Sequence, residues 1–305
     1  MNCLKKFLLY IIIGSFGTNS WAQNFSSFLK PADSLNSTRT KTIIIASSIA
    51  TATALAGLNQ LWYANYPQSN FHFIDDNQEW LQMDKMGHIY SAYQISRFGA
   101  ELLQWGGATQ KQQLLYGSGL GFVFQTSVEL MDGFSSQWGF SVGDMIANTT
   151  GTALFVTQEL LWKEQRIQPK FSFQTTHFPT YRPKVLGSNL SEQILKDYNG
   201  QTYWLSINLR SFYKQSKIPK WLNLALGYGA TGMISGNGEI PDNYTGVFFQ
   251  NERLFYLSLD LDLTKIDTKS QILKTFFTIF NSLKIPAPSI KFGAHKGLSG
   301  TLLQF

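Results

Sequence analysis

Up to about residue 166 apolar positions recur with a helical period near 3.6, and from 168 onward they follow the strand period of 2. The first part predicts four helices. One covers 42–58 and is rich in Ile, Ala, Ser and Thr; the others cover 84–105, 112–131 and 142–162. Asp84 and Ser141 are placed to cap the second and fourth, and Gly106-Gly107 ends the second. Helices of this length in one stretch suggest a bundle occupying 40–166. Small residues recur every fourth position at Gly117 and Gly121, and again at Gly143, Ala147 and Gly151. That spacing lets helices approach closely, in water or in lipid. No uninterrupted run of 18 apolar residues occurs in them, so membrane spans are not favoured by this half alone.

The second part, 168–305, alternates. Tyr203, Leu205, Ile207 and Leu209 share one face, with Trp204, Ser206, Asn208 and Arg210 on the other. Leu222, Leu224, Leu226 and Tyr228 alternate with Asn223, Ala225, Gly227 and Gly229. Phe255, Leu257, Leu259, Leu261 and Leu263 alternate with Tyr256, Ser258, Asp260 and Asp262. Weaker strands are 171–178, 290–295 and the tail ending at Phe305, which makes about six. A soluble sheet would pack its apolar face on a helix, for which Ile272, Leu273, Phe276, Phe277 and Phe280 form a stripe. Clean alternation over about ten residues with many aromatics also fits an outer-membrane sheet, although a closed membrane barrel needs at least about 8 strands. The fold class is therefore α+β, an N-terminal four-helix bundle followed by an antiparallel β region that could form a partial outer-membrane barrel.

The N-terminus changes the compartment. Lys5 and Lys6 precede an apolar stretch over 7–16, and Ser20 and Ala22 sit where a signal peptidase reads small residues. Residues 1–22 are expected to be a cleaved signal peptide, and the mature chain is expected in the periplasm or outer membrane. Cys3, the single cysteine, lies ahead of the apolar core, so cleavage leaves a chain with no disulfide, thiolate nucleophile or cysteine metal site. Of the net charge of +6, the leader lysines carry two, leaving +4 with no basic stripe for nucleic acid. Aromatics at 15% against charged residues at 14%, with a mean hydropathy of -0.10, suit a packed α/β chain or an outer-membrane β structure. Membrane or envelope components are the expected partners, and an oligomer is compatible with the strand count.

Candidate chemistry is confined to 84–162. Asp84 and His88 are i,i+4 neighbours beside Lys85; Glu129 and Asp132 are i,i+3; Asp144 and Asn148 are i,i+4, on a face that continues through Gly151 to Gln158 and Glu159. Carboxylates with one imidazole can ligate Mn²⁺, Zn²⁺ or Mg²⁺, or move protons. The catalytic candidates are His88, Asp84 and Glu129; the metal candidates are His88, Glu129, Asp132 and Asp144, which makes a divalent metal the cofactor to test. The alternative is a buried polar network in which Lys85 or Arg97 neutralises the acids. His72, His177 and His295 lie outside this stretch, and no Glu-x-x-His pair, phosphate loop or nucleophile elbow occurs. Six aromatics between Trp62 and Trp80 suggest a core-covering loop or a membrane-interface belt.

The ordered set Asp84-Lys85-x-x-His88, Glu129-x-x-Asp132-Gly133, Trp138-x-Phe140-Ser141-x-x-Asp144 and Asn148-x-x-Gly151 resembles the YfiM-type family of predicted periplasmic lipoproteins. It is similar, more distantly, to the VanZ-like membrane proteins. The likeness covers about 60–165 and implies no known reaction. The chain departs from it in lacking an acceptor cysteine after the apolar core and in carrying a strand-rich half. Together these features predict a structural or binding protein of the envelope with a buried Asp/Glu/His cluster. The alternative is a metal- or acid/base-dependent envelope enzyme acting on lipid-linked or cell-wall substrates.

Overall fold

Helices come first and strands second, as the change of period predicts. The computed structural model describes residues 26–64, 66–239, 249–295 and 297–304. The expected signal peptide and Phe305 lie outside these residues. Helix α1, Ser37–Leu58, begins where the Asn36 side chain accepts from the Arg39 amide and continues as a π-helical turn, Asn59–Tyr63. Helix α2 is Met83–Trp105, α3 is Gly119–Gly133 and α4 is Val142–Trp162. Ser141 caps α4 as expected, its hydroxyl accepting from the Asp144 amide at 3.2 Å. Asp84 does not cap α2; that place falls to Gln82, in a left-handed conformation, and the Asp84 carboxylate turns inward.

The expected helix 112–131 is interrupted. A capped turn at Gln110–Gln112 and a π-helical turn at Gln113–Gly117 precede α3. Gly117 presses on Gly99 and Ala100 of α2, so closely that a Cβ there would lie 2.6 Å from Ala100 backbone. The Gly117-Ser118-Gly119 sequence has poor helix propensity and yields to this contact. Contact between α2 and α4 is as tight: a Cβ on Gly151 would stand 2.2 Å from the Ile89 carbonyl oxygen. Gly151→Leu is expected to force the two helices apart and cost at least about 2 kcal/mol. Thermal unfolding would check this, and an unchanged melting temperature would show that the helices separate freely.

Strands β1, Phe73–Ile74, and β2, Phe140–Ser141, form a short parallel pair joining the loops that enter α2 and α4. The remaining strands are β3, Ile167–Phe173; β4, Gln201–Ile207; β5, Leu222–Thr231; β6, Glu252–Leu261; β7, Ala287–Gly293; and β8, Gly297–Gln304. They form one antiparallel sheet in sequence order, β3 to β8, which does not close into a barrel. Strand β4 stops before the expected 210, because Asn208 caps a short helix by accepting from the Ser211 amide at 2.9 Å.

The alternation holds, but the faces are reversed from the soluble-sheet expectation. Leu257 and Leu259 are 43% and 47% exposed, whereas Ser258 and Asp260 between and beyond them are 4% and 1% exposed. Helix α5, Gln271–Phe280, also leaves Ile272, Leu273, Phe276 and Phe280 exposed rather than covering the sheet. Buried polar groups fill the inner side. Lys170 Nζ lies 2.7 Å from Asp260 and donates to the Leu261 carbonyl at 2.7 Å and to Asn281 Oδ1 at 3.1 Å. Ser206 donates to Asp260 at 2.6 Å, and Gln168 to Asp262 at 2.9 Å. Helix α2 meets this side with polar groups too: Gln94 donates to the Pro169 carbonyl at 2.7 Å, and Arg97 to that of Thr278 at 2.9 Å. Each of these side chains has a partner, which is what makes a polar interior tolerable.

Candidate functional site

The beginnings of α2 and α4 and the end of α3 meet at one end of the helices. Their spacing brings Asp84, Lys85 and His88, Glu129 and Asp132, and Asp144 and Asn148 to the same level. His88 is the centre. Its Nε2 lies 3.6 Å from Glu129 Oε1 and 3.8 Å from both Asp84 Oδ1 and Asp144 Oδ1. None of these separations is a hydrogen bond. The other ring nitrogen, Nδ1, is 2.9 Å from Asn148 Oδ1, which also accepts from Gln125 Nε2 at 3.3 Å. His88 Nδ1 also lies 3.3 Å from Gln125 Nε2; a proton on Nδ1 satisfies the Asn148 oxygen and leaves Nε2 facing the three carboxylates.

The acids differ in their other partners. Glu129 Oε2 accepts from the Ser141 amide at 3.2 Å, while its Oε1 is buried and has no hydrogen-bond donor. Asp84 accepts from the Tyr198 hydroxyl at 2.7 Å, and Asp132 from the Tyr63 hydroxyl at 2.7 Å. Lys85 Nζ stands 2.7 Å from Asp76, 2.8 Å from Asp144 and 3.4 Å from Asp84. Lys85 thus takes the neutralising role foreseen for it. Arg97 does not, and pairs instead with Glu101 at 3.1 Å. Five carboxylates, those of Asp76, Asp84, Glu129, Asp132 and Asp144, gather around one ammonium and one imidazole.

Asp84, His88, Asp132 and Asp144 line a cleft of about 230 Å³, walled by Trp62, Tyr63, Trp80, Trp138 and Tyr198. The aromatic loop therefore has a place: Tyr63 and Tyr66 stand edge-on to Trp138, at 5.5 and 5.2 Å between ring centres. At the rim, burial foremost and then Asp76 raise the Glu79 carboxyl above its usual range. Burial, reinforced by Asp84, holds the Tyr198 hydroxyl protonated well above its ordinary value, so it serves as a neutral donor.

The turn into α2 is strained. Trp80, Leu81 and Gln82 all have positive φ, at 47°, 50° and 62°, which costs each non-glycine residue about 1 kcal/mol or more. The surroundings fix it. Trp80 donates its amide to the Gly236 carbonyl at 2.7 Å, Gln82 its side-chain amide to that of Asn77 at 2.7 Å, and Tyr228 its hydroxyl to that of Leu81. This turn sets the angle at which Asp84, Lys85 and His88 enter the cluster.

Among the candidates read from the sequence, Asp84, His88 and Asp144 come closest, each offering an atom within 4.8 Å of the others. Glu129 faces His88 directly, while Asp132 lies on the cleft wall in its bond to Tyr63. Gln158 and Glu159 belong to the far end of α4, where Gln158 accepts from the Arg166 and Ile167 amides and Glu159 accepts from Gln165. Three participants carry no sequence signal of their role. Tyr63 and Asp76 sit in the aromatic loop without a telling spacing, and Tyr198 lies 114 residues beyond Asp84.

Residues 72–159 match the family model described as "Predicted periplasmic lipoprotein (DUF2279)". The matched stretch contains Asp76, Asp84, Lys85, His88, Glu129, Asp132, Asp144 and Asn148, and stops short of Tyr198 and the sheet. No curated protein and no solved structure matches the chain. The periplasmic character of the family agrees with the export expected from the leader. The one cysteine in the sequence, Cys3, lies ahead of the apolar stretch and not after it, where the lipid acceptor of a lipoprotein is placed.

Proposed function

We propose that the protein is an envelope component that binds a divalent cation through Asp84, His88 and Asp144, with Glu129 as a further ligand. The observation that carries this reading is the setting of His88 Nε2, which faces three carboxylate oxygens at 3.6 to 3.8 Å without a hydrogen bond to any of them. A cation held at about 2.0–2.2 Å by nitrogen and oxygen donors has neighbouring ligands roughly 3.0–3.5 Å apart. Contraction by a few tenths of an ångström brings each of these oxygens to that spacing from Nε2, and the donor atoms of Asp84, His88 and Asp144 already lie within 4.8 Å of one another.

The charge balance supports the same reading. With Lys85 and the His88 ring against five carboxyl groups, a dication taking the place of a proton on Nε2 relieves repulsion among the acids. Asn148 holding the Nδ1 proton is the outer support that metal-binding histidines use. Mixed carboxylate and imidazole donors favour Mn²⁺ or Zn²⁺ over Ca²⁺.

Protein purified without chelator is expected to carry about one such ion per chain, which elemental analysis measures. Chelation should lower the melting temperature, and Mn²⁺ or Zn²⁺ should restore it. Absence of a stoichiometric ion together with no thermal shift would end this reading.

A second reading, an acid/base enzyme, is favoured by Asp132, which lies on the cleft wall apart from the closest donor group. In that case Asp132→Asn would abolish turnover of a substrate while leaving cation binding intact.

A further inference from the structure

We infer that this chain sits in a lipid bilayer, with acyl chains covering one apolar belt that runs around the helices and across the outer face of the sheet. The polarity of the fold is inverted. Polar side chains that soluble proteins display are buried here, among them Lys170, Asp260, Asn148 and Glu129. Apolar side chains that soluble proteins bury are displayed: Ile45 and Ile49 on α1, Ile146 and Leu160 on α4, Leu257 and Phe292 on the sheet.

A single protein partner does not fit this surface. The belt covers faces pointing in several directions, whereas an ordinary interface is one patch. The exposed residues of α4, from Val142 to Leu161, include no charge. Helix α1 with its extension, 27 residues in all, is long and apolar enough to cross a membrane, and only 6% of its most apolar window is buried.

The lengths agree across both kinds of element. At 1.5 Å per residue, α1 with its extension, α2 and α4 measure about 40, 34 and 31 Å. Strands β5 and β6, with 10 residues each, measure about 33 Å. A bilayer hydrocarbon core is about 30 Å thick.

Both ends of these elements carry the residues that anchor proteins at a membrane interface. The cleft end has Trp62, Trp80 and Trp138. The opposite end has Trp162 beneath Arg166 at 4.7 Å, and Trp105 beneath Arg39 at 4.6 Å. Between β4 and β5 that end also carries Arg210, Lys214, Lys217 and Lys220 with no acid from 208 to 221, which suits anionic lipid headgroups.

The sheet margin on the helix side is already sealed. Phe171 donates its amide to the Ser282 carbonyl at 3.1 Å and accepts from the Lys284 amide at 2.9 Å. At the other margin no further strand lies beside β8 among the described residues. Lipid does not tolerate an open strand edge, so the same placement requires β8 to be paired, and two copies joined there would satisfy it.

The test uses the full chain in a Cys3→Ser background, reconstituted in phosphatidylethanolamine–phosphatidylglycerol vesicles. Single spin labels are attached at Leu257→Cys, in the belt, and Lys217→Cys, in the basic loop. Both positions are on the surface, and neither touches the acidic cluster. The label at 257 should be relaxed by oxygen and shielded from a water-soluble nickel chelate, while the label at 217 should show the reverse. Carbonate washing should leave the protein with the membranes. Equal nickel access at both positions would overturn the inference, as would release into the supernatant. Shielding of position 257 from oxygen and nickel alike would also overturn it, because a second protein would then cover the belt.

Discussion

His88→Ala is expected to weaken binding of Mn²⁺ or Zn²⁺ by about 100-fold or more, roughly 3 kcal/mol. The imidazole is the one nitrogen ligand of the proposed set, and its Nε2 is the atom common to the three 3.6 to 3.8 Å separations. Asn148→Ala should have a smaller effect, about 10-fold, because it frees the ring to turn without removing the donor. The ordering separates a cation site from a purely structural salt-bridge network. In such a network His88 is an imidazolium balancing Asp84, Glu129 and Asp144, and its loss lowers the melting temperature of metal-free protein by the same amount as that of protein with added metal. In a cation site, the thermal increment produced by the metal disappears in His88→Ala and shrinks in Asn148→Ala. Titration calorimetry of the three proteins measures the affinities directly.

Lys170→Met is the second large effect, expected to cost about 3–5 kcal/mol of stability. Both side chains of the Lys170–Asp260 pair are completely inaccessible. Removing the ammonium leaves Asp260 with its neutral donors, the Ser206 hydroxyl at 2.6 Å and the Ile285 amide at 3.1 Å, and with only the longer-range charge of Lys284 in place of its direct counter-charge. The destabilisation comes from that poorly compensated buried charge more than from lost attraction. Adding Asp260→Asn should therefore recover much of the loss, since the amide still accepts from Ser206 and carries no charge. Thermal unfolding of the two single variants and the double variant completes the cycle. A double variant as unstable as the two losses added together would mean that the pair is not coupled.

Much of this architecture was legible in the sequence because it rests on local periodicity. Helix α4 runs from Val142 to Trp162, the limits set by its Ser141 cap and its apolar period. Strand β6 shows the alternation of Phe255, Leu257 and Leu259 against Tyr256, Ser258 and Asp260 that predicted it. What a period of 2 does not contain is the direction of each face. Alternation says that Leu257 and Asp260 lie on opposite sides; only the surroundings of the sheet decide which side is buried. The same distinction applies to the site. Spacing along a helix placed Asp84 with His88 and Asp144 with Asn148, and the close approach allowed by Gly121 and Gly151 brought those helix faces together. Tyr198 reaches Asp84 through the fold of a segment more than a hundred residues away, for which no local pattern exists. Asp84 failed as a predicted cap because the left-handed turn at Trp80 to Gln82 rotates α2 so that its carboxylate points at Tyr198 and the cluster.

Cation binding at His88 is tested most directly by electron spin resonance of the full-length protein with one equivalent of Mn²⁺, reading the electron spin-echo modulation from ¹⁴N. Modulation from one imidazole nitrogen is expected in the wild-type protein, and its disappearance in His88→Ala. A spectrum of hydrated Mn²⁺ with no nitrogen coupling in the wild type would contradict a site centred on His88.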